Sequence, residues 1–111
     1  MAYNSSFSPF GATVLVGTSS VQVKTSNNDN PTSYRIRNLS TSAQYFRWAS
    51  PLPGDSAVTV PAAAAPSAGV PSQNTIGMLP NSVETFSGLP ANAWFIASAA
   101  GAFEITPGEG M

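Results

Sequence analysis

The chain has 111 residues, of which 42% are hydrophobic and 8% are charged, and its formal net charge is −1. This length suits one domain with one core, and the hydrophobic fraction is too high for a disordered chain. The 4 Lys and Arg residues are too few to neutralise a run of phosphates, which excludes nucleic-acid binding.

Sequence features that would direct the chain to a membrane are also missing. No apolar run approaches the ~20 residues of a transmembrane helix, and the first ten residues lack the basic and apolar regions of a signal peptide. The absence of cysteine is typical of a reducing compartment. We therefore expect a protein that is made and used in a cytoplasm, or exported by other means.

The predicted elements begin with an irregular aromatic arm at residues 1–11. After it come short segments rich in β-branched and aromatic residues, each bounded by Gly, Pro, Asn or Ser, as strands are. No segment has the apolar spacing of an amphipathic helix. The predicted strands are residues 12–17, 20–25, 33–38, 43–49, 57–60, 82–86, 93–98 and 102–106.

Alternation within these strands predicts which side chains face the core. In strand 33–38, for example, Tyr34 and Ile36 alternate with Arg35 and Arg37. The other side chains predicted to point inward are Val21, Val23, Phe46, Trp48, Trp94, Ile96, Phe103 and Ile105. One apolar face opposite one polar face is typical of antiparallel sheets with one side exposed. We predict an all-β fold, a small antiparallel β-sandwich of jelly-roll or immunoglobulin-like type.

The C-terminal region is predicted to contain a hairpin and a turn. The last two predicted strands are separated only by residues 99–101, where Gly101 suits the positive φ of a tight turn. Pro107 is expected to end the pairing of the last strand because it lacks an amide hydrogen, and the glycines after it are expected to let the tail fold back. Glu109 on this tail is interpreted as a local or inter-subunit salt-bridge partner rather than an acid catalyst.

A connection rich in proline and alanine occupies about residues 50–75, apart from the weak strand at 57–60. Irregular connections longer than about 15 residues are uncommon in compact domains and are usually functional or disordered. Proline lowers the entropy that such a segment loses on ordering, so this loop suits contact with a neighbouring subunit. The predicted organisation is therefore an arm, 1–11, and one sandwich domain, 12–111, that carries the loop.

Residue sets for catalysis or metal binding are sparse. Without His and Cys, the Ser-His-Asp and Cys-His arrangements are impossible and zinc loses its usual ligands. Lys24 has no Ser-x-x-Lys spacing, and no glycine-rich phosphate loop occurs. Glu84 and Glu104 are interpreted as solvent-facing strand residues instead of a glycosidase pair, and Asp29 as part of an Asx-rich turn instead of a calcium site. We predict no enzyme, no metal, no cofactor and no small-molecule substrate.

Three of the four basic residues, Arg35, Arg37 and Arg47, fall on two strands that are consecutive in the sequence. If these strands are neighbours, the three guanidinium groups share one outer face. Such a patch is either an acceptor for a partner's carboxylate, including Glu109 of another copy, or a solvated face that keeps the edge soluble.

Three stretches carry a family resemblance: YRIRNLSTSAQYFRW at residues 34–48, NTIGMLPNSVETFSGLPANAWFIA at 74–97 and FEITPGEGM at 103–111. In this order they resemble small structural proteins of tailed bacteriophages and prophages. The resemblance covers residues 34–111 and leaves the N-terminal third unmatched. It implies a virion component without catalytic residues, a small β-sandwich that coats or cements the outside of the head as a symmetric oligomer and is assembled in the bacterial cytoplasm.

Our leading hypothesis is a capsid decoration or cement protein. It is expected to bridge neighbouring subunits of the major capsid protein on the outer surface of the phage head, as a dimer or trimer. The residues expected to make capsid or oligomer contacts are Tyr3, Phe7, Phe10, Arg35, Arg37, Arg47, Pro51, Pro53, Pro61, Pro66, Pro71 and Glu109.

Two alternative functions remain open at this stage. One is a receptor- or glycan-binding module of a tail fibre or spike, in which Trp48 or Trp94 stacks on sugar rings. Their in-phase neighbours Phe46 and Ile96 instead favour core positions for both tryptophans. The other alternative is a head-tail connector component, which would assemble as a ring.

Overall fold

The structure is a computed structural model, and it describes residues 8–9, 11–24, 33–52, 58–64, 68–69 and 71–109. Within these ranges no helix is long and apolar enough to cross a membrane. The regular elements are strands: β1 (Ser8–Pro9), β2 (Val14–Val16), β3 (Val21–Gln22), β4 (Ser33–Asn38), β5 (Gln44–Ala49), β6 (Thr75–Met78), β7 (Val83–Phe86), β8 (Trp94–Ala97) and β9 (Phe103–Glu109).

The strands form two antiparallel sheets. In the first sheet the order is β2, β9, β4 and β7, and the short β1 pairs with the far end of β9. In the second sheet the order is β3, β8, β5 and β6. From β2 onward, every connection crosses from one sheet to the other except the one between β5 and β6. The predicted all-β sandwich with antiparallel sheets is confirmed.

The main core lies between the two sheets. Phe46 is near its middle, and the ring centroids of Phe86, Phe95 and Phe103 lie 5.5, 6.0 and 5.6 Å from its own. Tilted and edge-to-face aromatic pairs contribute roughly 0.5–1.5 kcal/mol each beyond area burial. Buried side chains of the strands and of the connections beside them complete this core, namely Val16, Val23, Tyr34, Ile36, Met78, Leu89, Ala93, Ala97, Ala102 and Ile105.

The alternation predicted for β4 is confirmed, but the phase predicted for β8 is wrong. Phe95 and Ala97 point into the main core, whereas Trp94 and Ile96 lie on the other side of the second sheet. There they pack with Val60 of the long loop. Because β8 is covered on both faces, its apolar run contains no polar residue that would mark the phase.

The hairpin predicted from the last two strands is also wrong. β8 and β9 belong to different sheets, and residues 99–101 carry the chain across the edge of the sandwich. Gly101 does take a positive φ, 59°. The sequence pattern thus indicates the turn correctly, but a turn of this kind serves a crossing between sheets as well as a hairpin.

β9 continues through Pro107 to Glu109, so the prediction that Pro107 ends the pairing is wrong. The tail predicted to fold back is extended as far as Glu109, and residues 110–111 lie outside the described ranges. Pro107 opposes Tyr34 of β4 and is fully buried. On the other side of β9, the register of β2 ends at Ile105 and that of β1 begins at Gly108. Pro107 lies opposite the gap between β1 and β2, so neither strand loses a hydrogen bond because the proline has no amide hydrogen.

The strand that pairs with β5 at the sheet edge is β6, which the sequence pattern does not predict. The weak strand predicted at 57–60 is wrong for residues 58–60, which are irregular. Gly77 conceals β6, because glycine is disfavoured in strands. The glycine makes room for an aromatic ring, since a Cβ at this position would lie 2.7 Å from Cε2 of Tyr45.

Candidate interaction surfaces

Some of the residues predicted to make contacts cannot be placed. The N-terminal arm is described only at residues 8–9 and 11, where β1 pairs antiparallel with the end of β9. The predicted contact residues that lie outside the described ranges are Tyr3, Phe7, Phe10, Pro53 and Pro66. Their contacts stay predictions.

The outer face of the first sheet carries the side chains of β2, β9, β4 and β7 that point away from the main core. Strand register aligns four of them in one line across the sheet, in the order Leu15, Glu104, Arg37 and Val83. We call this line the outer row. It spans about 14 Å, since adjacent strands lie about 4.8 Å apart. Its two apolar ends are open, with Leu15 61% and Val83 46% exposed.

The middle of the outer row holds an exposed ion pair. Nη1 of Arg37 lies 3.7 Å from Oε1 of Glu104, and both side chains are more than one third exposed. Within the described ranges no other ion pair forms. Pairs of this kind contribute about 0–1 kcal/mol to stability. The fold therefore depends little on these two charges, which are accessible to a partner.

A half-open cavity of about 450 Å³ adjoins the outer row. Its lining consists of Pro9, Gly11, Thr13, Arg35 and Thr106. The hydroxyl oxygens of Thr13 and Thr106 are 2.7 Å apart and share a hydrogen bond. Arg35 has no ion-pair partner in the part of the chain that the structure describes. A guanidinium beside hydroxyl groups in an open cavity can hold a carboxylate of a partner.

Arg47 does not join the other two arginines, so the expectation of a three-arginine face is wrong. Arg35 and Arg37 lie on β4 in the first sheet, whereas Arg47 lies on β5 in the second. Arg47 opposes Thr75 on β6 and Ile96 on β8, and it is half-buried. The patch is split because the chain changes sheets between these two consecutive strands.

The outer face of the second sheet is covered in part by the long loop. Residues 58–64, which we call the docked segment, place Val60 and Ala63 against Ile96 in a second apolar cluster. Tyr45, Ala49, Val58 and Trp94 surround this cluster. The amide of Val60 also donates a hydrogen bond of 2.8 Å to Oγ of Ser20. The loop is therefore fixed to its own sheet at this segment.

The docked segment presents an apolar outer side. Pro61, Ala62 and Ala64 are exposed on it, while Val60 and Ala63 are buried beneath. Two other prolines of the loop flank the segment in sequence, and Pro51 is half-buried whereas Pro71 is exposed. The sequence predicts that this loop contacts a neighbouring subunit. It does not indicate that residues 58–64 pack on the chain's own second sheet.

The turn between β6 and β7 presents a second apolar feature. Leu79 is 72% exposed at this turn. The turn is held by the fully buried Asn38, whose side-chain amide donates to the carbonyl oxygens of Ser42, Met78 and Leu79 at 3.2, 3.3 and 2.9 Å. Oδ1 of Asn38 accepts a bond of 2.9 Å from the amide of Ser40. The sequence marks Asn38 only as the end of a strand, so this role was not predictable.

The structure also gives the positions of the acidic residues that were considered as catalytic or metal-binding groups. Glu84 opposes the inward-facing Ile36, whereas Glu104 opposes Arg37, so the two carboxylates leave opposite faces of the first sheet. Within the described ranges no three acidic side chains come close enough to hold a metal ion. Glu109 is exposed at the end of β9. Asp29 lies outside the described residues.

Both tryptophans are half-buried against the chain's own apolar clusters. Trp48 packs on the main core, and Trp94 packs on the second cluster beneath the docked segment. Nε1 of Trp94 is buried, and it has no hydrogen-bond partner among the described residues. Neither tryptophan stands as an isolated aromatic platform on the surface.

Comparison with known proteins identifies no relative: no family model, no curated protein and no solved structure matches the chain. The resemblance to phage structural proteins therefore rests on the sequence motifs alone.

Proposed function

We propose that the sandwich is a jelly roll that serves as a decoration or cement protein of a tailed-phage head. The strand orders β2, β9, β4, β7 and β3, β8, β5, β6 support the first part, because a jelly roll likewise divides eight antiparallel strands between two sheets. Jelly rolls build viral capsid domains and lectin domains. The fold is thus compatible with a coat component, while the role must come from the surface.

The docked segment is the observation that carries the proposed role. Val60 and Ala63 fix it to the second sheet, and Pro61, Ala62 and Ala64 face outward. An apolar strip that is ordered before binding loses little entropy when a partner covers it. Each contact with the major capsid protein is modest, and the symmetric repetition of sites on a head supplies the avidity.

The N-terminal arm is a second contact element in this proposal. The aromatic arm at residues 1–11 reaches a neighbouring capsid subunit from the edge where β1 pairs with β9. The protein acts as a small homo-oligomer on the outer surface of the virion head, after assembly in the bacterial cytoplasm.

A charge placed on the docked segment tests the proposal. Ala62→Asp adds a carboxylate to the exposed strip without touching the buried anchors, so we expect binding to phage heads that lack a decoration protein to weaken about tenfold, or ~1.4 kcal/mol. Ala43→Asp is the matched control, because Ala43 is also exposed and lies in the turn between β4 and β5. The measurement is co-sedimentation with heads over a range of protein concentrations. Equal binding of the two variants would remove the docked segment from the contact.

The tail-fibre alternative requires a tryptophan ring that is open to a sugar. Both tryptophans pack on the chain's own clusters, an arrangement that does not favour glycan stacking. We expect no shift of tryptophan emission with host polysaccharide. A saturable shift would favour the tail-fibre module over the decoration protein.

A further inference from the structure

The outer row has an order that is complementary to itself. Across the sheet it reads apolar, acidic, basic, apolar, as Leu15, Glu104, Arg37 and Val83. All four side chains are accessible on the outer face of the first sheet. The row therefore presents two charges of opposite sign between two exposed apolar groups.

A second copy can meet this row in two symmetric ways when two such faces pack together. A two-fold axis along the row would place Glu104 on Glu104 and Arg37 on Arg37, which repels. A two-fold axis parallel to the strands, between β9 and β4, reverses the order of the row in the second copy. Leu15 then faces Val83, and Glu104 faces Arg37, in both halves of the contact. Charge complementarity thus selects one orientation.

The spacing of packed sheets suits this orientation. Sheets that pack face to face lie about 10 Å apart, a distance that Glu104 and Arg37 bridge when each side chain extends halfway. The adjoining row places Thr106 of one copy opposite Arg35 of the other, so no second pair of like charges is forced together. The contact has room for both rows.

The face available for this contact is small. Four strand positions and the two rows measure roughly 19 by 14 Å, which gives about 270 Å² on each copy, or about a third of the ~800 Å² that each partner buries in a standard stable interface. We expect a weak dimer, with a Kd in the micromolar to millimolar range, that becomes significant when copies are held close together on a particle.

We propose that the outer row is a homodimer interface, in which Leu15 packs on Val83 and Glu104 pairs with Arg37 of the second copy. The inference specifies the oligomer contact of the proposed function. It is tested on free protein, so its failure and the failure of head binding are separate results.

Two charge-reversal variants test the interface. E104R leaves two cations in the row and R37E leaves two anions, so each variant alone should lose self-association by at least tenfold. Mixed together they should form a heterodimer of about wild-type strength, because each cation then faces an anion. Both variants lack the intrachain ion pair, so recovery on mixing reports an intermolecular contact. R47E, on the other sheet, is the matched control and should dimerise as the wild type does.

Sedimentation velocity from low micromolar to near-millimolar concentration gives the readout, with thermal unfolding to verify that each variant is folded. Wild-type dimerisation, loss in both single variants and recovery in the mixture support the interface. A wild type that stays monomeric throughout overturns it. A wild-type dimer whose variants do not recover on mixing also overturns it, because the dimer then uses another surface.

Discussion

Asn38 is the residue on which the geometry of one end of the sandwich most depends. Its buried amide group donates to three carbonyl oxygens and accepts from one amide, linking the turn after β4 to the exposed Leu79 turn. A leucine side chain of similar size would remove all four of these bonds, and the carbonyl oxygen of Leu79 would keep only its bonds from the amide and hydroxyl of Ser82. The position therefore requires a side-chain amide, and substitution by a carboxylate of the same size tests this requirement most directly.

We expect Asn38→Asp to lower the free energy of unfolding by about 3 kcal/mol, because a buried carboxylate would face the three carbonyl oxygens to which Asn38 donates. Acidic pH should restore part of the loss, since a protonated carboxyl can donate. Urea unfolding at neutral and acidic pH measures both effects. Gln73→Glu, the same change from amide to carboxylate at an exposed position before β6, should cost little, and a similar cost for both variants would contradict the role of Asn38.

Tyr34 makes the free energy of unfolding depend on pH in the alkaline range. Its hydroxyl donates to the carbonyl of Pro90 at 2.5 Å and accepts from the amide of Ala93 at 3.1 Å. Burial raises the pKa of Tyr34 above its ordinary value of 10.0, and backbone hydrogen bonds from Ala93 and Asn92 lower it in part. The folded state thus holds the proton at a pH where the unfolded chain releases it.

The stabilisation from neutral Tyr34 is present below pH 10.0 and is lost as the pH rises towards the folded-state pKa. Tyr34→Phe should be about 1–2 kcal/mol less stable at neutral pH, because two buried backbone groups lose their partner. The difference in Tm between wild type and variant should narrow above that pH, as measured by calorimetry. A constant difference through the alkaline range would contradict the assignment.

At the scale of elements, the sequence best predicts the bounds and phase of a strand that has one face exposed to solvent. β4 has the predicted bounds and phase because Arg35 and Arg37 alternate with buried neighbours. The phase predicted for β8 is wrong because the docked segment covers the second face of this strand. Short-range alternation contains no information about a segment some thirty residues earlier in the chain. The sequence does not predict which strands pair with each other either, since the connections that cross between sheets use the same turn residues as hairpins.

The docked segment yields a prediction of its own. Val60→Ala should lower the free energy of unfolding by about 1–2 kcal/mol, since it removes buried methyl groups from the cluster with Ile96 and Trp94. It should also shift the tryptophan emission to longer wavelength, as water reaches Trp94. Val83→Ala, at an exposed position, is the matched control. An unchanged emission spectrum in Val60→Ala would show that the segment does not cover Trp94.

At the scale of the whole molecule, the two outer faces of the sandwich differ. The second sheet is covered in part by the chain's own loop, and the first sheet leaves the outer row and the Arg35 cavity open. Composition predicted a single β-sandwich with few charges. It could not predict this difference, because the register that assembles the outer row depends on strands that are far apart in sequence.

The measurement that tests the central claim most directly is the binding of the purified protein to expanded phage heads that lack a decoration protein. Co-sedimentation should show saturable binding at a fixed ratio to the major capsid protein. The decorated heads should withstand higher temperature than bare heads, because a protein that binds only the assembled shell stabilises it. A protein that stays in the supernatant at every concentration and leaves the heat resistance of the heads unchanged would contradict the proposed role.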